Sequence, residues 1–188
     1  MTREEILDAA AQIIREKGFH ATSMQDIAAA VDLRKASLYH HVTSKQEILV
    51  DLLDKALDLL IDNMEQVVSQ QIPAADKFRL ALQSYFHTLT ENIGLTSVLL
   101  LEHRSLESEY RDRHLPRRDR YEQYWRKIIQ EGVEQGVFAC EEINMAVKAI
   151  LGVANWTIIW FKPDGKYTSD QIAEMSADLL LNGLYKRS

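Results

Sequence analysis

Cysteine is almost missing from this chain. Its one thiol, Cys140, excludes an intrachain disulfide and fits a reducing compartment. Proline occurs three times and glycine seven times in 188 residues, so few positions force a helix to stop. Alternating β-type patterns and internal repeats are absent, and Leu, Ala, Ile, Glu and Gln make a helix-favouring bulk. No apolar run approaches the ~20 residues of a membrane span, and Met1-Thr2-Arg3-Glu4-Glu5 has no apolar signal core. These absences predict an all-α protein, soluble and cytoplasmic, with no membrane partner. Enzyme signatures are missing as well: no glycine-rich phosphate loop, no nucleophile elbow, no metal-ligand spacing. No metal or cofactor is therefore expected. His40 and His41 cannot share an ion on one helix face, because neighbours point ~100° apart. Positive charge is scarce too. The net charge is −6; residues 1–50 hold six Lys/Arg against seven Asp/Glu, and the remainder 16 against 21. That balance excludes a non-specific coat for nucleic acid but leaves room for a local positive footprint.

What is present is helical periodicity. Ile6, Leu7, Ala10, Ile13 and Ile14 predict a first helix over 2–17, stopped by Gly18. Ser23, with Asp26 three residues on, should cap a second helix ending near Val31. Asp32-Leu33 leaves space only for a tight turn before a third helix over 34–41. Ser44 and Glu47 form a capping box for a fourth helix to about residue 70. A fifth follows Pro73 and runs to about 93, broken by Gly94. A sixth is expected over 96–106, a charged loop and the start of a seventh over 107–120, and an end to that seventh at Gly136. An eighth spans 141–161 and a ninth 169–185, separated by the turn at 162–165.

Residues 23–41 thus place two short helices around a tight turn, a spacing that crosses them steeply. The second can lie in a major groove while the first braces it. Ile27, Ala28, Val31, Leu33 and Leu38 can hold the pair together. Arg34, Lys35, Ser37, Tyr39, His40 and His41 are then free to face outward, and they carry the chemistry that base edges and phosphates accept. Residues 32–45 hold Arg34, Lys35 and Lys45 against Asp32, a small positive footprint in the right place. A helical scaffold that binds other proteins is the rival reading. It leaves the polar face of the third helix unexplained.

The run Gly18-Phe19-His20-Ala21-Thr22-Ser23-Met24-Gln25-Asp26-Ile27-Ala28-Ala29-Ala30-Val31, followed by Leu33, Lys35, Ser37-Leu38-Tyr39-His40-His41 and Ser44-Lys45, resembles the DNA-binding domain of TetR-family regulators. The likeness spans roughly residues 3–53. It implies phosphate contacts from Thr22, Tyr39 and Lys45, and base or nearby backbone contacts from Arg34, Lys35, Ser37 and His40. Two positions depart from the usual pattern: Asp32 stands where glycine is common, and Val42 where phenylalanine is common. Asp tolerates the left-handed backbone such a turn needs. The expected organisation is an N-terminal three-helix domain, 1–46, that binds double-stranded DNA through its helix-turn-helix, and a helical ligand-binding and dimerisation domain, 47–188, about nine helices in all. The expected function is that of a sequence-specific regulator, a repressor released from a palindromic operator by a small-molecule effector.

The resemblance also implies a homodimer whose last two helices form a four-helix bundle with the partner's. Ile150, Ala154 and Ile158 on the eighth helix, and Met175, Leu179, Leu180 and Gly183 on the ninth, are the expected interface. A surplus of aromatics, Tyr121 and Trp160 among them, suggests an effector pocket, with Met64, Tyr85, Phe86, Tyr124, Trp125 and Trp156 as its expected lining and His103, Arg104 and Asn155 as its polar groups. The C-terminal end, from Asn155-Trp156 to Gly183-Leu184, is similar to the members of the family tied to lipid catabolism, which implies an acyl-CoA effector. The run Arg111, Arg113, Arg117, Arg118 and Arg120 could meet a nucleotide's phosphates or could be a solvated charged loop.

Overall fold

The computed structural model describes residues 2–184, and within them the backbone is helical with no strand. The helices are α1 Arg3–Lys17, α2 Met24–Ala30, α3 Lys35–Leu38, α4 Lys45–Ser69, α5 Ala74–Glu91, α6 Ile93–Glu102, α7 Ser108–Glu134, α8 Ile143–Trp160 and α9 Ser169–Leu184, with a 3₁₀ turn at His103–Ser105 between α6 and α7. The expected end of the ninth helix at Tyr185 lies outside the described residues. The chain forms two compact units, Met1–Asp58 with Asn92–Arg117, and Leu59–Glu91 with Arg118–Ser188. The helices α4 and α7 each begin in the first unit and continue in the second.

In the first unit, local chemistry sets the helix ends. Thr2 and Glu5 close a capping box on α1, and Ser23 with Asp26 closes one on α2. Gly18 ends α1 at φ +82°, a left-handed backbone that suits glycine. Asp32 takes φ +52° in the turn before α3, and it is the one non-glycine residue with positive φ among those described. The helices α1, α2 and α3 pack around Ile6, Ala10, Ile14, Ile27 and Leu38, all essentially inaccessible to solvent. Helix α6 lies along α1, and the approach is close at Gly94, where an added Cβ would sit 3.2 Å from Gln12 Oε1. Gly94 therefore does not break the fifth helix. The chain turns at Asn92, and Gly94 belongs to the first turn of α6.

The charged stretch over 107–120 is helix from Ser108 onward, with Pro116 inside it. Opposite charges on α4 neutralise it. Asp54, only 5 % exposed, accepts from His114 Nδ1 and from Arg117 Nη1, both at 2.9 Å. Asp51 takes Arg113, and Asp58 takes Arg117 Nε at 3.1 Å. Arg111 donates to the Leu106 carbonyl at 3.0 Å.

The second unit is built on α5, α8 and α9, which pack together around Phe78, Leu82, Phe86, Val147, Ala154 and Leu181. The C-terminal part of α7 adds Tyr121, Trp125, Ile128 and Ile129, all buried. Gly132 is where this helix meets the following loop. A Cβ there would lie 2.1 Å from the Phe138 ring, and the Gly132 carbonyl accepts the Val137 and Phe138 amides. The ion pairs here are also internal: Lys77 with Glu131, Arg120 with Glu65, and Arg118 with Glu122.

Candidate functional site

The turn at Asp32 sets α3 against α2 in the first unit. The Leu33 amide bonds the Ala28 carbonyl at 2.8 Å, and Leu38 is fully buried beneath. This anchoring turns Arg34, Lys35 and His40 to solvent, leaves Tyr39 45 % exposed and half-buries Ser37. The regular part of α3 is shorter than the expected 34–41. It closes at Leu38, because His40 and His41 donate to the Ser37 and Leu38 carbonyls in the tighter 3₁₀ pattern. Tyr39, His40 and His41 thus belong to the tightened turn after the helix.

Arg34 and Lys35 form no ion pair among the described residues, in contrast with the arginines of α7, each of which has an internal acceptor or carboxylate. At α3, by contrast, cationic side chains remain available. The arginine run at 111–120 is spent on α4 carboxylates and on nearby acceptors, so the idea that it awaits phosphates is set aside.

Thr22 and Lys45 take a different place from the outward residues. Thr22 is 1 % exposed and donates its hydroxyl to the Gly18 carbonyl at 2.8 Å. Lys45 Nζ donates to the Phe19 and Thr22 carbonyls at 2.9 and 2.7 Å and lies 4.3 Å over the Phe19 ring. Both residues shape the connector at 18–22, and the burial of Thr22 removes its hydroxyl from direct reach of a ligand. The same connector is held by Glu102 at the end of α6, whose carboxylate accepts the Phe19 amide at 3.1 Å. Gln46 Nε2 donates to the Ser105 carbonyl at 2.9 Å, and its Oε1 accepts the Glu107 amide. This polar clasp involves residues distant in sequence, and nothing in their local pattern announces it.

The entry to α4 carries a second knot. Glu47 accepts from the Thr43 amide and hydroxyl, both at 2.5 Å, and from Arg3 at 2.6 Å. Burial pushes its carboxyl up, but these hydrogen bonds and the Arg3 charge outweigh burial and hold it at about 2. Arg3 also reaches Asp51 and the His41 carbonyl, which ties the start of α1 to the end of the helix-turn-helix.

The expected pocket residues divide. His103 and Arg104 fall in the 3₁₀ turn of the first unit, whereas the rest of the set belongs to the second. Met64, Phe86 and Trp125 are fully or nearly buried in the second unit, and Tyr85 is 4 % exposed with its hydroxyl on Asn155 Oδ1 at 2.7 Å. Tyr124 turns outward and donates to Glu65 at 2.6 Å. Trp156 is 63 % exposed on the outer side of α8 and lines no interior. Tyr121, one turn before Trp125 and part of the same aromatic surplus, is buried in that unit as well.

The expected dimer residues divide as well. Ile150 and Ala154 are 2 % and 1 % exposed, inside their own unit, while Ile158 and Leu180 are half-buried. Met175, Leu179 and Gly183 are exposed on α9. Met145, Val153, Trp156, Ile159 and Trp160 add an exposed apolar face on α8, at helical spacing. Helix α8 is by length and composition apolar enough to cross a membrane, yet it packs on α5 and α9 along one side and leaves the other uncovered.

The chain matches two family profiles: residues 6–52 match bacterial regulatory proteins of the tetR family, and residues 71–184 match the tetracyclin repressor-like C-terminal domain. It is 25% identical over 98% of its length, and 93% of the other chain, to the transcriptional repressor KstR2 of Mycobacterium tuberculosis. It is 25% identical to the fatty acid metabolism regulator protein of Bacillus subtilis, over 97% of this chain and 95% of that one. Among solved structures, the regulator PfmR from Thermus thermophilus superposes with a TM-score of 0.88 at 38% identity, covering 96% of this chain and 99% of that one. AibR, solved in complex with isovaleryl coenzyme A and operator DNA, gives 0.85 at 28% identity, covering 97% of each chain.

Proposed function

Because the chain belongs to the TetR family of DNA-binding transcriptional regulators, we propose that it acts as a homodimeric repressor, released from a palindromic operator when a small apolar effector binds the second unit. The observation that carries the reading is the short, outward α3: Arg34 just before it and Lys35 at its start form no ion pair among the described residues, and the helix is fixed from beneath by Leu38 and set by the left-handed turn at Asp32. Lys35, Ser37 and His40 read base edges in this proposal, and Arg34 and Tyr39 grip the flanking backbone. Thr22 acts through the connector it shapes, and Lys45, half-buried against that connector, lends its charge to the nearby phosphates.

An N-terminal DNA-binding module over 1–46 and an effector and dimerisation module over 47–188 remain the proposed division of labour. Helix α4 is common to both, so a ligand that shifts it in the second unit moves the segment that begins at Lys45. The apolar outer faces of α8 and α9 support a partner copy, since two-fold dimers suit two-fold operators. Acyl-CoA thioesters are the proposed effector class, supported by the likeness to a fatty acid regulator and to a protein solved with isovaleryl coenzyme A. The proposal gives the protein no catalytic step and places it in the cytoplasm.

Selection of bound duplexes from a random pool, followed by gel-shift titration, tests the reading. A palindromic consensus, bound with two protomers and released by an acyl-CoA, is expected. Enrichment of no sequence above background would refute it.

A further inference from the structure

Tyr121 and Trp125 stand one turn apart on α7 in the second unit, so their side chains share a face. Trp125 is fully buried and Tyr121 is 5 % exposed. The indole N–H lies close enough to the Tyr121 oxygen to oppose the rise in its pKa that burial causes, yet neither atom makes a hydrogen bond of good geometry, and they are the two buried side-chain polar atoms in that position among the described residues. Folded interiors leave few such atoms, because a buried donor without a partner forfeits the bond it made to water. Tyr85 belongs to the same neighbourhood. Burial raises its pKa well above the ordinary tyrosine value, and Tyr121 raises it further. Its proton is already committed to Asn155 Oδ1. It cannot also donate elsewhere.

Indole N–H only donates, and a phenol hydroxyl can donate while its oxygen accepts. An oxygen with two lone pairs is the group that satisfies both. The surroundings select its charge. Phe78 stands edge-on to Trp125 at 6.0 Å, and Met64, Phe86, Ile128 and Ile129 are buried in the same unit. Lys77, a buried cation of that unit, is already spent on both oxygens of Glu131. A carboxylate would arrive without a counter-ion and lose its hydration, whereas a neutral carbonyl would not.

We propose that the Tyr121 hydroxyl and the Trp125 N–H form a two-donor subsite for an uncharged carbonyl oxygen, and that this subsite lets the protein tell a thioester, ester or ketone from the corresponding free acid. The proposal rests on the effector reading above and adds the atoms that recognise the ligand.

Octanoyl-CoA and S-octyl-CoA, a thioether that lacks only the carbonyl, are the probes, with octanoate as the free acid. Calorimetry on the full chain should show octanoyl-CoA binding about tenfold or more tightly than S-octyl-CoA, since each neutral hydrogen bond is worth roughly a factor of two to ten. Octanoate should bind weakest for its acyl length. Tyr121→Phe should cut the preference for the thioester several-fold and leave S-octyl-CoA affinity unchanged. The free variant should melt no lower than wild type, because it loses a hydroxyl that had no partner. A wild-type preference retained in Tyr121→Phe, or equal binding of the two CoA compounds by wild type, overturns the subsite and leaves the effector reading standing. Binding of neither compound also overturns it. The effector reading falls separately, if bound operator is released by no acyl-CoA.

Discussion

Glu47 offers a sharp test of how the helix-turn-helix is held. Its carboxylate joins the start of α4 to Thr43 and Arg3, and its folded pKa of about 2 lies below the ordinary glutamate value of 4.5. A group depressed on folding adds stability that is complete above its unfolded pKa and is lost as pH falls through the folded one. The window for Glu47 is therefore from about pH 4.5 down to about pH 2. At about 1.36 kcal/mol per pH unit the full difference is roughly 3 kcal/mol. The side chain is 21% exposed, so solvent screening trims this to about 2 kcal/mol. Glu47→Gln should cost about that much near neutral pH and flatten the acid limb of the stability curve. Urea unfolding at several pH values between 2.5 and 7, at one fixed protein concentration, measures both effects. Equal slopes below pH 4.5 in wild type and Glu47→Gln would refute the assignment of that limb to Glu47.

Four further outcomes follow from other residues. Asp54→Ala strips the buried His114 of its partner and should destabilise by about 2–3 kcal/mol, a fall of roughly 5–10 °C in Tm by calorimetry; the half-exposed Arg117 adds little to that. Leu179→Asp puts a charge on the exposed face of α9, and light scattering should show monomers; a dimer of unchanged stability would remove that face from the interface. Tyr39→Ala should weaken binding about equally on specific and scrambled duplexes, while Lys35→Ala should change the selected sequence; no change in either variant would exclude α3 as the reading helix. Gly132→Ala forces a methyl group into the Phe138 ring and should cost about 1–3 kcal/mol in denaturant, and Phe138→Ala in the same chain should relieve that part of the loss.

Helix ends were legible in the sequence wherever a side chain makes its own hydrogen bond. Ser23 with Asp26, Ser44 with Glu47 and the left-handed positions at Gly18 and Asp32 all act within four residues of the backbone they cap. The misplaced features depend on partners far along the chain. Gly94 reads as a breaker until Gln12 of α1 is seen against it. The run over 107–120 reads as a loop and the start of a helix because charge is so dense in it, and the carboxylates of α4 that pair with Arg113, His114 and Arg117 lie far away in sequence. The same limit governs the sites. The outward residues of α3 follow from a local turn, whereas α8 is apolar on two sides, and no local rule says which side its own unit covers. For that reason the pattern expects Ile150 and Ala154 on the partner side, whereas the fold buries them in their own unit, and the unpaired state of the Tyr121 hydroxyl is a property of the packed interior that no local pattern shows.

The charge seam of the first unit constrains how related chains can diverge. Asp51, Asp54 and Asp58 recur along one side of α4 and meet Arg113, His114 and Arg117 from α7. Replacing Asp54 alone strands a buried imidazole, and replacing Arg117 alone leaves that carboxylate with one cation fewer. A viable drift therefore favours paired exchanges, such as two apolar residues or two reversed charges, because each single step at the buried position costs stability. In an alignment of relatives, positions 54 and 114 should vary together, while the exposed Arg118, whose pairs with Glu122 and Asp119 are long at 3.8 and 4.0 Å, should vary more freely.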